Sequence, residues 1–352
     1  MPAIHKPLFH RHQWSALLAS RSKFGGKMND IRIGIIGSGG MASRHAQHFS
    51  RTDGFELIAI AARNIETGPA LANKHGIDYL PTYREILKRD DIDAIAICTY
   101  NDTHSEIALA ALDANKHVFT EYPAARNIDE AQQLLSRIDH SSRVLRVGHN
   151  EVLSPSHRAL KRQTAQTGNL ITALFTRLTP GRGQRPEILF NISISGPPAL
   201  FFVYNIYPLV DCFGPATWVE AAAHYENLRD DSTYDSFANS VTVGFENGGI
   251  GQWNWAGGIE ISDAEEYRRI VMTDGTLINR GDGWHLSTKS SEHDLPAAEP
   301  SDVTIQTQFL KDIHNGNWQT DARTAINAAL IGLVAERSIE ENRRVPLSEL
   351  LQ

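Results

Sequence analysis

Apolar residues in the first 150 positions of this chain occur in short runs rich in β-branched side chains, and segments of helical spacing separate the runs. A run that is apolar throughout is typical of a strand buried on both faces, and alternation with helices is typical of a parallel sheet. The pattern therefore predicts an α/β unit with a doubly wound sheet of about six strands. The predicted strands include residues 31–36, 55–62, 92–98, 116–120 and 143–147, and the predicted helices are residues 40–49, 65–75, 83–88, 105–114 and 128–138.

The pattern changes after residue 149. A helix is predicted over residues 156–165, and longer β-prone runs follow, some joined by turns such as residues 246–249. Such runs indicate a largely antiparallel sheet, so the second half is predicted to be an α+β unit with a mainly antiparallel, open-faced sheet. The predicted strands are residues 170–178, 217–224, 236–245, 250–255 and 267–273, and helical spacing returns over residues 302–342.

A glycine-rich turn, Gly37-x-Gly39-x-x-Ala42, joins the first predicted strand to the first predicted helix. Gly37 allows a tight turn, Gly39 lets the backbone approach a pyrophosphate, and Ala42 keeps the helix close to the strand. The free N–H groups of the helix N-terminus would face the phosphates. The turn therefore predicts a dinucleotide-binding site. Its candidate residues are Gly37, Ser38, Gly39, Gly40, Met41 and Ala42.

The end of the second predicted strand bears on which nicotinamide cofactor is bound. A carboxylate there would accept hydrogen bonds from the ribose 2′-hydroxyl of NAD. This chain has Ala62, Arg63 and Asn64 instead. These residues do not repel a 2′-phosphate, and Arg63 can pair with it. NADPH is therefore the expected cofactor; in the alternative, NADH binds and Arg63 stacks on the adenine or points into solvent.

The predicted domain boundaries are residues 1–29, 30–150 and 151–352. The first part is an extension expected to be disordered, with an upstream start codon before Met28 or an organellar transit peptide as alternatives. The second is a nucleotide-binding domain, and the third is an α+β domain for substrate binding and oligomerisation. The C-terminal helices are expected to pack back on the second part, and the substrate cleft is expected between the two domains.

Composition and charge exclude several classes of function. The 352-residue chain has a formal net charge of −7, which argues against a nucleic-acid partner or an anionic membrane surface. No apolar run approaches the roughly 20 residues of a bilayer-spanning helix. Cys98 and Cys212 lack paired spacing and indicate reduced thiols. We therefore expect a cytoplasmic protein that acts on a small molecule.

Four segments resemble the glucose–fructose oxidoreductase/inositol dehydrogenase family, and the resemblance extends over residues 30–347. The segments are the glycine turn, residues 99–104 (Thr-Tyr-Asn-Asp-Thr-His), residues 114–123 (Ala-Asn-Lys-His-Val-Phe-Thr-Glu-Tyr-Pro) and residues 339–347. The resemblance implies a Rossmann domain followed by an α+β domain. It also implies that four further residues bind the cofactor. These are Thr99, Asn101, His104 and Glu121.

Two departures from the family separate this chain from its sugar dehydrogenases. Those enzymes typically have a Glu-Lys-Pro segment, and Tyr122 stands at the position of its Lys in this chain. They also have an Asp-x-Gly-x-His segment, which the corresponding residues 201–211 do not contain. A secondary alcohol needs a group that removes its proton as hydride leaves. Tyr122 is a poor base because the ordinary pKa of a phenol is about 10.

Glu121-Tyr122-Pro123 is instead similar to the biliverdin reductase-like branch of the family, as are residues 145–153 and the Phe213-Gly214 pair. Members of that branch carry arginine in the aromatic-rich stretch, where Asn205 stands here. Arg182 and Arg185, from the loop over residues 180–185, are the candidate replacements that would meet an acidic substrate.

The candidate catalytic residues are Tyr122, His149 and Glu151. Tyr122 would donate a proton or position the substrate; the alternative is packing. His149 and Glu151 would relay a proton near neutral pH, or form a hydrogen bond at the domain junction. Tyr204 and Tyr207 would form an aromatic wall for a flat conjugated substrate, unless they belong to the core.

Two further pairs of side chains bear on metal binding and on subunit assembly. His45 and His48 have the i, i+3 spacing of a metal pair, but no third ligand or acidic partner is near in the sequence, so no metal is expected. Trp253 and Trp255 alternate with Asn254 and share one sheet face. In the family that this chain resembles, the open face of this sheet often forms a subunit interface, so a homo-oligomer is expected.

The leading hypothesis is an NADPH-dependent reductase of a conjugated, electron-poor acceptor, with a bilin-like tetrapyrrole such as biliverdin as the best candidate. A second is a sugar or cyclitol dehydrogenase whose base is Tyr207 or His149. A third is a regulator that binds NAD(P) and a partner protein without catalysis.

Overall fold

The computed structural model describes residues 30–183 and 186–350. Six strands form a parallel sheet in the order β3-β2-β1-β4-β5-β6, which confirms the predicted doubly wound α/β sheet. Its central strand is the apolar run before the glycine turn, and β2 and β4 pair with it on either side. The strands are β1 (Ile31–Ile36), β2 (Phe55–Ala61), β3 (Asp78–Leu80), β4 (Ala94–Ile97), β5 (His117–Thr120) and β6 (Leu145–Val147).

Helices follow the strands as the spacing predicts, and polar side chains begin two of them. The Thr82 hydroxyl and the Asn127 amide oxygen each accept a backbone N–H bond from the first turn of their helix. Strand β3 was not predicted, because three residues that include Asp78 carry no apolar run. The helices are α1 (Gly40–Phe49), α2 (Thr67–His75), α3 (Tyr83–Leu87), α4 (His104–Asp113) and α5 (Ile128–His140).

The second sheet has nine strands in the order β14-β13-β12-β11-β7-β10-β9-β8-β15. The pair β7–β10 is parallel and the other pairs are antiparallel, so the predicted mainly antiparallel sheet is confirmed. The short strands β12 to β15 were not predicted. The strands are β7 (Leu170–Pro180), β8 (Ala216–Glu226), β9 (Ser236–Phe245), β10 (Ile250–Ile259), β11 (Glu265–Met272), β12 (Gly275–Asn279), β13 (Trp284–Ser287), β14 (Glu292–Leu295) and β15 (Val345–Pro346).

Aromatic side chains join one face of this sheet to the helices that cover it. Trp253 and Trp255 share that face, as the alternation predicts, and both rings pack against Phe202, with ring centroids 6.3 and 5.3 Å apart. Both indoles are therefore core residues of the covered face. The outer face carries small polar side chains such as Ser240 and Asn254. The expected homo-oligomer stays a prediction.

The remaining helices connect the two sheets. Arg146 on β6 is buried and bonds Asp312 at 2.5 Å and Asp321 at 2.8 Å, on two successive C-terminal helices. The last helix also packs along β8. No helix in the described part of the chain is long and apolar enough to cross a membrane. The helices are α6 (Pro155–Thr164), α7 (Pro186–Leu189), α8 (Ile192–Ser195), α9 (Pro198–Phe201), α10 (Val203–Phe213), α11 (Ile305–Asn315) and α12 (Gln319–Glu341).

Candidate active site

The glycine turn lies at the carboxyl end of β1, and its backbone explains each glycine. Gly37 has φ +123°, and a Cβ there would lie 2.3 Å from the Cys98 carbonyl oxygen. A Cβ on Gly39 or Gly40 would meet no protein atom within 4 Å. The first bond of α1 runs from the Ser43 N–H to the Gly39 carbonyl, so the preceding amides have no partner within the helix. This open cradle of amides fits a pyrophosphate.

The loop after β2 lies beside this cradle. The Asn64 amide oxygen accepts two backbone bonds of 2.9 Å, from Glu66 and Thr67, and so shapes the start of α2. The Thr67 hydroxyl is 2.7 Å from the Ser38 hydroxyl of the glycine turn. Arg63 is exposed in this loop. The contact joins the glycine turn to the loop that was predicted to select the cofactor.

Three residues of the segment after β4 make contacts within the protein. The Asn101 amide donates to the Ser195 carbonyl at 3.0 Å, and the Thr99 hydroxyl accepts from Thr103 at 2.8 Å. His104 is buried, with its ring nitrogens 2.9 Å from the Pro123 carbonyl and 3.2 Å from the Thr99 carbonyl. Burial lowers the His104 pKa. His104 therefore holds two loops of the cofactor edge together.

Glu121 ends strand β5 in a buried hydrogen-bonded chain. Its Oε1 lies 2.5 Å from His45 Nε2, and the Gln306 amide nitrogen lies 3.0 Å from His45 Nδ1. The amide must donate to Nδ1, so Nε2 carries the proton and donates to the carboxylate. No acidic partner is near His45 in the sequence, and the structure supplies one from the end of a strand 76 positions away. Among the described residues, no group of three or more metal-ligating side chains occurs.

Three rings stack at the junction of the two sheets. His149 is sandwiched between Tyr122 and Tyr207, with centroids 4.8 and 4.3 Å away and both pairs within 7° of parallel. Tyr207 is only 4% exposed, whereas Tyr122 is half-buried. Tyr204 lies 6.3 Å from the Tyr122 ring and is also half-buried. Tyr122 of the stack and the neighbouring Tyr204 are therefore the rings that a ligand could reach.

Burial determines the protonation states of His149, Glu151 and Tyr122. Burial and the Arg146 charge lower the His149 pKa to about 3, so the imidazole is neutral at pH 7. Its Nδ1 is 3.9 Å from Glu151, beyond hydrogen-bond distance. The expectation that His149 donates a proton near neutral pH is therefore corrected. Burial raises the pKa of Glu151 and also that of Tyr122, whose hydroxyl lies 3.5 Å from Glu151 Oε1. Tyr122 and Glu151 are the groups that can hold a proton here.

Two arginines that the sequence reasoning missed lie beyond Tyr204. Arg177 on β7 and Arg268 on β11 both contact the Glu266 carboxylate, one on each oxygen. The Arg177 guanidinium also lies over the Tyr204 ring, 5.4 Å from its centroid. Arg177 and Arg268 both lie within strands that the sequence predicts, residues 170–178 and 267–273. The pairing of β7 with β11, which brings Glu266 opposite Arg177, was not readable from either strand alone.

Other residues of the predicted substrate group lie elsewhere. Arg182 donates to the Tyr234 carbonyl at 2.7 Å and pairs with Asp235 at 3.4 Å. Arg185 lies outside the described residues. The stretch over residues 201–211 contains the last residue of α9 and most of α10, and Asp211 at its end bonds His157 at 2.8 Å. Asp211 therefore joins α10 to α6.

Comparison with known proteins agrees with this geometry. Residues 31–149 match the family described as "Oxidoreductase family, NAD-binding Rossmann fold", the GFO_IDH_MocA family. A 4-carboxy-2-hydroxymuconate-6-semialdehyde dehydrogenase of Sphingobium sp. (strain SYK-6) is 33% identical over 129 residues, 36% of this chain. This chain spans 41% of that relative's length. A 1,5-anhydro-D-fructose reductase of Ensifer adhaerens is 29% identical over 71% of this chain and 75% of its own length.

The fold of the whole chain is also found in a solved structure. Biliverdin reductase from Synechocystis sp. PCC 6803, in complex with biliverdin and NADP⁺, superimposes with a TM-score of 0.80 at 21% identity. The match covers 88% of this chain and 99% of the other. At that identity the likeness concerns the fold. The family match therefore covers the nucleotide-binding half of the chain, which includes the glycine cradle, and the two-sheet architecture is the fold of the solved structure.

Proposed function

We propose that this protein is an NADPH-dependent reductase of a conjugated, electron-poor acceptor, with a bilin-like tetrapyrrole as the best named candidate. The observation that carries the proposal is the neutral Tyr122–His149–Tyr207 stack beside Glu151. A pocket built this way can hold a flat conjugated molecule and deliver a proton. It offers poor means of taking a proton from an alcohol, because the phenol pKa is raised and the imidazole is buried.

The reaction needs a hydride and a proton. When bound, the nicotinamide supplies the hydride. The new C–H bond takes up the hydride electron pair, and the π electrons of the reduced double bond move to the far end of the conjugated system. The far end of the conjugated system takes a proton from the Tyr122 hydroxyl or from protonated Glu151. Solvent then returns a proton to the donor residue. A raised Glu151 pKa keeps part of the carboxyl protonated closer to neutral pH than usual.

The cofactor preference rests on the loop after β2. No carboxylate ends that strand, and Arg63 is exposed beside the Ser38–Thr67 contact. A 2′-phosphate there would meet a guanidinium and hydroxyl donors. The Synechocystis enzyme, in which NADP⁺ is bound, supports NADPH by likeness of fold.

A sugar or cyclitol dehydrogenase is the second candidate. It is favoured by the Ensifer relative, a 1,5-anhydro-D-fructose reductase that aligns over most of both chains. The reductive direction of that activity also needs a proton donor, which Tyr122 or Glu151 can be. Oxidation of a polyol would need a base instead, and the raised Tyr122 and Tyr207 pKa values disfavour one.

The test is an absorbance assay with biliverdin and either NADPH or NADH, which follows loss of the reduced nicotinamide and growth of the bilirubin band. Bilirubin formation with a clear NADPH preference would support both parts of the proposal. A parallel arm uses 1,5-anhydro-D-fructose and myo-inositol. Turnover there without bilin turnover would favour the second candidate.

Tyr122→Phe separates a chemical role from a packing role. The variant keeps the ring that stacks on His149 and removes the hydroxyl. We expect turnover to fall at least about tenfold if Tyr122 donates the proton, with nucleotide affinity unchanged. Glu106→Gln, an exposed carboxylate of α4, is the matched control. Full activity of Tyr122→Phe would assign the proton to Glu151 or water.

A further inference from the structure

Two cationic side chains, Arg177 and Arg268, lie beyond Tyr204 with a carboxylate that contacts both. Arg177 and Arg268 project from the covered face of the second sheet, since Glu266 is directly opposite Arg177 and Arg268 follows Glu266 by two positions. Their side chains are 24% and 31% exposed, and that of Glu266 is 30% exposed. Glu266 is the carboxylate in contact with both guanidinium groups among the described residues. Glu151, whose pKa is raised by burial, acts on Arg268 through its charge and forms no ion pair with it.

Unused hydrogen-bonding capacity surrounds this pair. Arg177 Nε is buried without a hydrogen-bond partner among the described residues. A guanidinium has five N–H donors, whereas the shared Glu266 carboxylate engages one terminal nitrogen of each arginine. Buried polar atoms without partners are rare in native proteins, and a ligand is one explanation for them.

The arginine pair also follows the row of aromatic rings that begins with the stack. Arg177 lies over Tyr204, and Tyr204 is the ring next to Tyr122. Arg268 packs over Phe175, 5.7 Å from its centroid, which fixes the other side of the pair. A flat molecule on Tyr122 and Tyr204 would therefore extend toward the two guanidinium groups.

From this arrangement we infer that Arg177 and Arg268 form a binding subsite for an anionic group, a carboxylate carried by a flat conjugated substrate. The inference rests on the proposed function and names the substrate class of that site. One substrate carboxylate would balance the second guanidinium charge, and planar guanidinium groups bind carboxylates through paired hydrogen bonds. Arg182 and Arg185, to which this role was assigned from the sequence, are not needed for it.

The test compares acids with their esters in equilibrium binding to the NADP⁺-loaded protein. The first pair of probes is biliverdin and biliverdin dimethyl ester. The second is naphthalene-2,6-dicarboxylate and its dimethyl ester, which does not depend on a bilin activity. We expect each acid that binds to do so about 10- to 100-fold more tightly than its ester. In Arg268→Gln this ratio should fall to near one, and Arg268→Lys should keep part of it.

Arg269→Gln is the matched control, because Arg269 is the next residue on β11 and faces the opposite side of the sheet, over Tyr267. It should keep the full ratio. Unchanged NADP⁺ affinity in each variant shows that the protein is folded. If only the naphthalene acid binds in an Arg268-dependent way, the bilin proposal fails and the anion subsite stands. Esters that bind as tightly as their acids in both pairs, or an acid preference that survives Arg268→Gln, would overturn the inference.

Discussion

Glu336, a half-buried carboxyl group on α12, gives a stability prediction of definite sign. Its Oε1 accepts a 3.1 Å hydrogen bond from the Tyr225 hydroxyl on β8. Burial raises the Glu336 pKa from 4.5 to about 7, and the Tyr225 bond opposes this only in part. Between these two values the folded protein keeps a proton that the unfolded chain has released.

The direction of the effect follows from this proton. The folded state binds more protons than the unfolded state between pH 4.5 and about 7, so the free energy of unfolding falls as pH rises through that window. At about 1.36 kcal/mol for each pH unit between the two pKa values, the loss reaches about 3 kcal/mol above pH 7. At pH values below 4.5 this loss is absent.

Glu336→Gln removes the titration and keeps an oxygen that can accept the Tyr225 bond. Urea unfolding of the wild type and the variant should coincide near pH 4.5, and the variant should be more stable by about 3 kcal/mol near pH 7.5. Glu246→Gln, in the exposed turn between β9 and β10, is the control and should show no such trend. A gap between Glu336→Gln and the wild type that does not change with pH would refute the burial argument.

Three further predictions concern the cofactor edge and the join between the sheets. Gly37→Ala should lower Tm and abolish nucleotide binding, because its Cβ would collide with the Cys98 carbonyl. Gly39→Val should keep Tm and lose nucleotide affinity, since a side chain there meets no protein atom. Equal effects of the two variants on Tm and on nucleotide affinity would argue against the cradle. Arg63→Asp should shift the NADPH to NADH preference by about tenfold or more in kcat/KM, whereas an unchanged ratio would remove Arg63 from cofactor selection. Arg146→Ala leaves a buried carboxylate without its partner and should cost about 3–5 kcal/mol in urea unfolding; a loss below about 1 kcal/mol would show that the ion pair is not needed.

Local patterns predicted most of the first sheet. A strand, a glycine turn and a helix within residues 31–49 are specified by neighbours in the chain, and the structure has them with nearly the predicted bounds. The longer strands of the second sheet were also visible, and the predicted run over residues 236–245 is the observed β9. Short strands such as β3 and β12 were missed because a few residues carry too little periodicity.

The site was harder to predict because its contacts join distant parts of the chain. His45 meets Glu121 across 76 positions and Gln306 across 261. The contact between Arg177 and Glu266 spans 89 positions. Sequence spacing reports on neighbours along one element, and strand order is needed to know which elements meet. For the same reason, His45 was considered for metal binding when its partner is a buried carboxylate.

Protonation is a further property that the sequence did not carry. A histidine at the domain junction suggested a donor near neutral pH, because the ordinary histidine pKa is near 6.5. Burial between two tyrosine rings, together with the Arg146 charge, lowers the His149 pKa to about 3 and removes that property. The imidazole is therefore neutral at pH 7 and lies between the two rings.

The positions of charge and neutrality in the cleft fit one another. Under the proposed function, the stack at its centre is neutral, the Glu121–His45 chain lies toward the cofactor and the arginine pair lies toward the substrate. Adding a hydride to a conjugated acceptor makes negative charge in the acceptor, and a nearby proton donor and cations stabilise that charge more than a polar base would. Under the proposed function, the Tyr122 ring would hold a flat substrate, with the two arginines beyond Tyr204. Under the proposed function, a tyrosine at this position would therefore disfavour alcohol oxidation and favour reduction of an extended anionic acceptor.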